Sequence, residues 1–203
     1  MSFADTFLNE STRLVDALDR QAIERVATGL RAVRERDGRL FVLGVGGSAG
    51  HASHAVNDFR KLCGFEAYAP TDNVSELTAR TNDEGWDTTF AAWLRGSRLR
   101  AADGLLVFSV GGGDLVQGVS GNLVLAIDYA VAEGAAVFGI VGRDGGHTAR
   151  MAEACVVVPP LFAERVTAHT EGLCAVVWHL LVSHPALQVN STKWESIGPK
   201  AVS

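Results

Sequence analysis

The chain has no apolar run longer than a strand. A membrane-spanning helix needs about 20 consecutive apolar residues, so no membrane partner is expected. It also lacks a basic block and any RNA-type aromatic motif. With 18 basic against 23 acidic residues, the formal net charge is −5. That balance argues against nucleic acid as a partner. Cysteine is scarce: Cys63, Cys155 and Cys174 are far apart and odd in number. A disulfide scaffold is thereby excluded, and buried thiols in a reduced, cytoplasmic protein are the expectation. The opening MSFADTFLNESTRLVDALDR is charged and helically periodic, unlike a secretory leader. Internal repeats, low-complexity segments and linkers are missing too.

What is present is a chain of 203 residues, 47% hydrophobic and 20% charged, which suits one soluble domain with a full core. Nearly continuous apolar runs occupy 39–45, 103–110, 136–142 and 154–160, with a weaker one at 66–72. Such runs fit strands buried on both faces. Helical periodicity covers 4–34, with a break near Asp19–Gln21, and returns at 48–62, 74–80, 86–97, 115–133, 145–153 and 168–183. The alternation predicts an α/β fold, a parallel sheet with helices on both sides. Residues 1–36 read as N-terminal helices, 37–185 as the α/β core, and 186–203 as a polar, loosely held tail.

In an open α/β sheet, ligands bind beyond the carboxyl ends of the strands. Two of those ends carry glycine–serine turns: GVGGSAG, with Gly46, Gly47 and Ser48, and SVGGGD, with Ser109, Gly111, Gly112 and Gly113. Each opens onto a helical pattern. Two such turns favour an anion, a phosphate above all, held by backbone N–H groups and hydroxyls. After the first turn come His51, His54 and Asp58, spaced to share one helical face. Alone, that pattern reads first as a solvated or interface face. His179 on the last helix makes acid–base or metal chemistry the sharper reading. Cys174 reads as core, and Trp86, Trp93, Trp178 and Trp194 as packing or interface residues.

The ordered set GVGGSAGHASHAVNDF, LTARTNDEGW, LLVFSVGGGD, GIVGRDGGHTARMAEACVVVP and RVTAHTEGLCAVVWHLL resembles the SIS (sugar isomerase) domain, and most closely its phosphoheptose isomerases. The resemblance spans nearly the whole chain. It implies a flavodoxin-like five-stranded parallel sheet with an N-terminal helical extension. It also implies a homotetramer with active sites at subunit interfaces, and interconversion of sedoheptulose 7-phosphate and glycero-manno-heptose 7-phosphate in activated-heptose biosynthesis. Asp58 and His179 match the catalytic positions. His54, Asp58, Glu171 and His179 match a set that binds zinc in some members. Ser48 and Ser109 match phosphate-binding serines, and Asp83 and Glu171 match polar substrate contacts.

Two departures stand out. The loop SVGGGD carries Val110, Gly111 and Asp114 where the family has hydroxyl side chains. An aspartate in a phosphate cradle repels a dianion unless it caps its own backbone or a cation balances it; Arg143 and Arg165 are the candidate cations, and 115–133 the helix Asp114 is expected to cap. Asp58 is also one methylene shorter than the family's glutamate. Both departures leave open a non-catalytic SIS protein that senses a sugar phosphate or binds a protein, and an isomerase for another heptose or octose in a special pathway. Glu171 and His179 are eight residues apart, about 12 Å along a helix, so one metal reaches both only if side chains converge or a second subunit takes part.

Overall fold

The computed structural model describes residues 1–193; Trp194 and the rest of the tail lie outside the described residues. Two helices lead. Helix α1 (Phe3–Ala17) starts with a capping box, in which Ser2 and Asp5 each bond the other's backbone N–H. Leu18 leaves the helical conformation, and Asp19 caps α2 (Arg20–Glu35) through the N–H groups of Gln21 and Ala22. The break therefore falls where the sequence placed it.

Five parallel strands follow: β1 (Leu40–Leu43), β2 (Ala67–Tyr68), β3 (Gly104–Ser109), β4 (Ala136–Val141) and β5 (Ala154–Val157). Their order is β2-β1-β3-β4-β5. The side chains alternate faces, as the period of two demands. Leu40, Val42, Leu106, Phe108, Phe138 and Ile140 pack with α1, α2, α3 (Gly47–Cys63) and α8 (Val166–Val182). Phe41, Leu43, Leu105, Val107 and Val137 pack with α5 (Thr89–Gly96) and α6 (Gly121–Ala132). Helices α4 (Val74–Glu84) and α7 (Gly146–Met151) complete the set.

The amino ends of β1 and β3 are pinned by Asp103, which has no exposure. Its carboxylate takes the Arg39 guanidinium at 2.7 Å and the backbone N–H groups of Arg39 and Arg100 at 2.9 and 3.0 Å. Burial pushes the Asp103 carboxyl up, but the bonds from Arg39 and Arg100 outweigh it and hold the carboxyl below its usual range.

Four boundaries differ from expectation, each for a physical reason. β2 is two residues long because Pro70 opens a 3₁₀ turn at Pro70–Asp72. β5 stops short of Pro159 and Pro160, which have no N–H for the ladder. Helix α6 begins at Gly121 and not at 115, because Asp114 and Val119 exchange backbone hydrogen bonds at 2.8 Å and close the segment between them into a tight loop. The segment just past Pro185 is no loose arm. Arg34 donates to the carbonyls of Cys63, Ala186 and Leu187, Leu187 is fully buried, and Val189 and Asn190 bond Leu62.

Helix α1 is latched to the entry of α8 by one buried carboxylate. Glu10 receives Arg165 at 2.6 and 2.8 Å, and His169 Nε2 lies 2.9 Å from its Oε2. The Phe7 ring stacks on His169 at 4.4 Å. Hydrogen bonds from Arg165, then from His169, hold the Glu10 carboxyl down at about 2, from 4.5. Because the folded value is the lower one, the stabilisation is complete above the unfolded value and fades as pH falls from about 4.5 toward 2. An acid titration followed by near-ultraviolet circular dichroism should therefore show a loss of structure in that window. The variant Glu10→Gln should show weaker α1 docking at pH 7 and a flatter acid limb.

Candidate active site

Strand order reverses between β1 and β3, so their connections leave on opposite faces and a crevice opens at their carboxyl ends. Both glycine turns lie there. Gly46, at φ 61 and ψ −126, turns the chain from β1 into α3, a conformation reserved for glycine. Its carbonyl accepts from Ala49 and Gly50, and Ser48 is buried in the first turn. The N-terminus of α3 thus faces the crevice with its backbone donors and positive dipole end.

The turn after β3 is held by its own contacts. Ser109 Oγ accepts from Gly112 N–H at 3.0 Å. The Gly112 carbonyl accepts from the backbone N–H and hydroxyl of Thr148, and the Gly113 carbonyl from His147 N–H. A Cβ on Gly112 would stand 2.0 Å from the Gly145 carbonyl oxygen, whereas one on Gly111 would meet nothing nearer than Arg143 Cδ at 3.9 Å. Glycine at 112 is therefore demanded by the close approach of two backbone turns. Gly111 is the position with open space at its side. Asp114 Oδ1 accepts from Val116 and Gln117 N–H at 2.8 and 3.1 Å. It caps its own turn, not the helix foreseen at 115–133.

His54, Asp58 and His179 come together where α3 meets α8. One ligand atom of each lies within 4.8 Å of the others. His54 Nε2 is 3.7 Å from Asp58 Oδ2, and Asp58 Oδ1 accepts from Asn57 at 2.8 Å. His179 Nδ1 donates to the Ala175 carbonyl at 2.7 Å. A carbonyl only accepts, so the proton sits on Nδ1 and the Nε2 lone pair is left for a ligand or a proton. Trp178 is the floor: fully buried, it stacks on His179 and meets the edge of His54 at 4.8 Å. Two imidazoles and one carboxylate with an open side make a donor set suited to a catalytic divalent metal.

Other expected residues lie elsewhere. Glu171 is not within this cluster. Its carboxylate abuts Gly47, where a Cβ would stand 2.6 Å from Oε1, at the opposite end of the crevice face of α3. Two turns of α8 separate Glu171 from His179, so one chain does not converge them on one ion. Asp83 is exposed near the end of α4, accepting from Asn82 at 2.7 Å, and α4 packs chiefly on α5 and the short turns around it. Arg165, expected as a balancing cation, is taken by Glu10. Its partner, 155 positions away, left no local signal. The thiols are unpaired, and burial pushes those of Cys63 and Cys155 up to about 12, which keeps them inert.

The unequal surroundings of the loop glycines have a measurable consequence. Gly112→Ala should lower stability by more than about 1 kcal/mol, since it combines positive φ with a backbone collision. Gly111→Ala should stay within about 0.5 kcal/mol of the parent. Thermal unfolding of the two variants checks the difference.

Comparison with known proteins follows this geometry. Residues 6–142, more than half of the chain, match the family model described as SIS domain. A phosphoheptose isomerase from Klebsiella pneumoniae subsp. pneumoniae is 33% identical over 159 residues, covering 75% of this chain and 78% of that protein. A lincomycin biosynthesis protein from Streptomyces lincolnensis is 31% identical over 195 residues, covering 91% and 69%. The solved phosphoheptose isomerase of Neisseria gonorrhoeae superposes with a TM-score of 0.77 at 26% identity, over 89% of this chain and 95% of that one. Its counterpart from Francisella tularensis, with a TM-score of 0.75 at 23% identity over 90% and 97%, shares the fold. The family match and the extent of these relatives agree with the crevice and its two glycine turns: the chain belongs to the SIS-domain family, alongside its phosphoheptose isomerases.

Proposed function

We propose that the protein is a phosphosugar isomerase that interconverts sedoheptulose 7-phosphate and glycero-manno-heptose 7-phosphate through an enediolate. The observation that carries this reading is the gathering of His54, Asp58 and His179 where α3, the helix that follows the first glycine turn, meets α8. From Ser48 to His54 is roughly 9 Å along α3, at 1.5 Å per residue. An extended sugar phosphate held by its phosphate at the α3 N-terminus thus lays its carbonyl end on the histidine cluster.

Isomerisation moves one proton between adjacent carbons and another between the two oxygens they carry. His179, its Nδ1 fixed by Ala175, presents Nε2 as the base for the carbon-bound proton. Asp58 stands beside it to serve the oxygens, and its short side chain is set by the bond from Asn57. Trp178 excludes water from beneath both. Ser48, Gly46, Gly47, Ser109, Gly111 and Gly113 hold the phosphate end. Gly112 shapes the loop, and Glu171 and Asp83 remain the candidate contacts to sugar hydroxyls. In the competing, metal-loaded form His54, Asp58 and His179 would hold a divalent metal, zinc first, with Glu171 joining only from a second subunit, and as ligands Asp58 and His179 would not be the free acid and base. When bound, the metal would polarise the carbonyl.

A homotetramer is supported by Leu8 and Val15 on α1 and by Val176 and Leu180 on α8, all exposed apolar residues on the helices that would meet. The three unpaired thiols support a cytoplasmic setting, and among the described residues no helix is long and apolar enough to cross a membrane. The likeness to the lincomycin biosynthesis protein favours, as the second reading, the same chemistry on another sugar phosphate of a special pathway.

Incubation with sedoheptulose 7-phosphate, read by NMR of the sugar, should show the aldose product. An eight-carbon ketose phosphate run in parallel separates the two readings, and no conversion of either would reject both. His179→Gln should lower kcat by about 10²–10⁴, as should Asp58→Asn, with KM little changed. Protein purified without added metal should carry zinc by elemental analysis. Full activity at less than about a tenth of an equivalent per chain would show that no metal is required. Light scattering should give four chains per particle.

A further inference from the structure

The loop after β3 is poor in what a phosphate needs. Its single hydroxyl side chain, Ser109, already accepts from Gly112 N–H, and Asp114 has spent its carboxylate on its own turn. Backbone donors alone leave the charge of a dianion uncompensated. Next to the loop stands Arg143, in the turn after β4. Its Cδ lies 3.9 Å from the place a Cβ on Gly111 would take, so its side chain runs along the open flank of the loop. Its backbone is left-handed, at φ 55, a conformation that arginine rarely adopts. Among the described residues it has no carboxylate partner. With Val110 it lines an open cavity of about 620 Å³, together with Pro160, Ala163, Val166 and Thr167. Asp144 lines the same cavity, but its Oδ1 is turned back to Gly146 N–H at 3.2 Å.

We propose that Arg143 is the phosphate-binding cation of this site, reaching past Gly111 to supply the charge that the loop's side chains do not. This rests on the phosphosugar reading and deepens it. A guanidinium offers a planar fork of donors matched to two phosphate oxygens. Glycine at 111 leaves the loop's flank open beside it, with only Arg143 Cδ near the place of a Cβ, at 3.9 Å. The other candidate cation, Arg165, is bound bidentately by Glu10.

The test compares the full-length protein with Arg143→Asn and Arg143→Lys. Asparagine tolerates the left-handed backbone, so the first variant removes the charge without burdening the fold, and an undiminished thermal midpoint verifies that. Inorganic phosphate binding is measured by calorimetry, and KM and kcat with sedoheptulose 7-phosphate. Arg143→Asn should weaken phosphate binding and raise KM about tenfold or more, with kcat within about threefold of the parent. Arg143→Lys should recover part of the loss, as a point charge without the fork. Phosphate affinity and KM both within about twofold of the parent in Arg143→Asn would overturn the assignment, as would a parent protein that binds no phosphate. A parent that binds phosphate through Arg143 yet converts no sugar phosphate would uphold the assignment and reject the isomerase reading.

Discussion

Two parallel strands, β1 and β3, lie side by side while their connections depart to opposite faces of the sheet. Everything functional in the molecule follows from that divergence. Parallel strands cannot be joined by a hairpin, so each must feed a helix, and at the reversal the two helices cannot both cover the strand ends. The uncovered ends become a crevice ringed by backbone donors. Asp103 makes this arrangement rigid from below. It ties the starts of β1 and β3 with bonds that no solvent competes for, and so sets the register in which Leu43 pairs with Val107. The glycine turns are then fixed relative to each other at the top.

Helix α3 joins the two halves of the site. On the proposed reading its first turn addresses an anion, and its third and fourth turns carry His54 and Asp58, so one rigid rod would set the distance between anchor and chemistry. In the proposed mechanism, binding energy gained at a remote phosphate would thereby be converted into alignment of the reacting carbons. The partner helix α8 supplies His179 from the opposite side, with Trp178 as the packing that holds both imidazoles in place.

Charge is distributed sparingly around the crevice. Glu10 neutralises Arg165 and holds α1 against α8. Asp114 and Asp144 are each turned to nearby backbone N–H groups. Short-range self-capping of this kind would let these acidic residues border the proposed anion site without opposing it. On the reading proposed above, the positive charge facing the loop is that of Arg143.

The chain's local patterns determined a great deal. Runs of Val, Leu, Ile and Phe gave β1, β3, β4 and β5, because a strand covered on both faces has little freedom to be polar, while the two-residue edge strand β2 left only a weak signal. The Gly46–Gly47–Ser48 and Ser109–Gly113 turns were legible because positive φ restricts residue choice. His54 and Asp58 were legible because helical spacing alone puts them on one face. What required the tertiary structure were relations between distant segments. The sequence could not show that Gly112 serves Gly145, that Glu10 serves Arg165, or that Glu171 stands by Gly47 and not with His179. Nor could it show that residues 114–119 close on themselves before α6 begins. Local conformational preference is encoded within a few residues, whereas the contacts that assign a charge or a glycine its partner exist only once the helices have packed on the sheet.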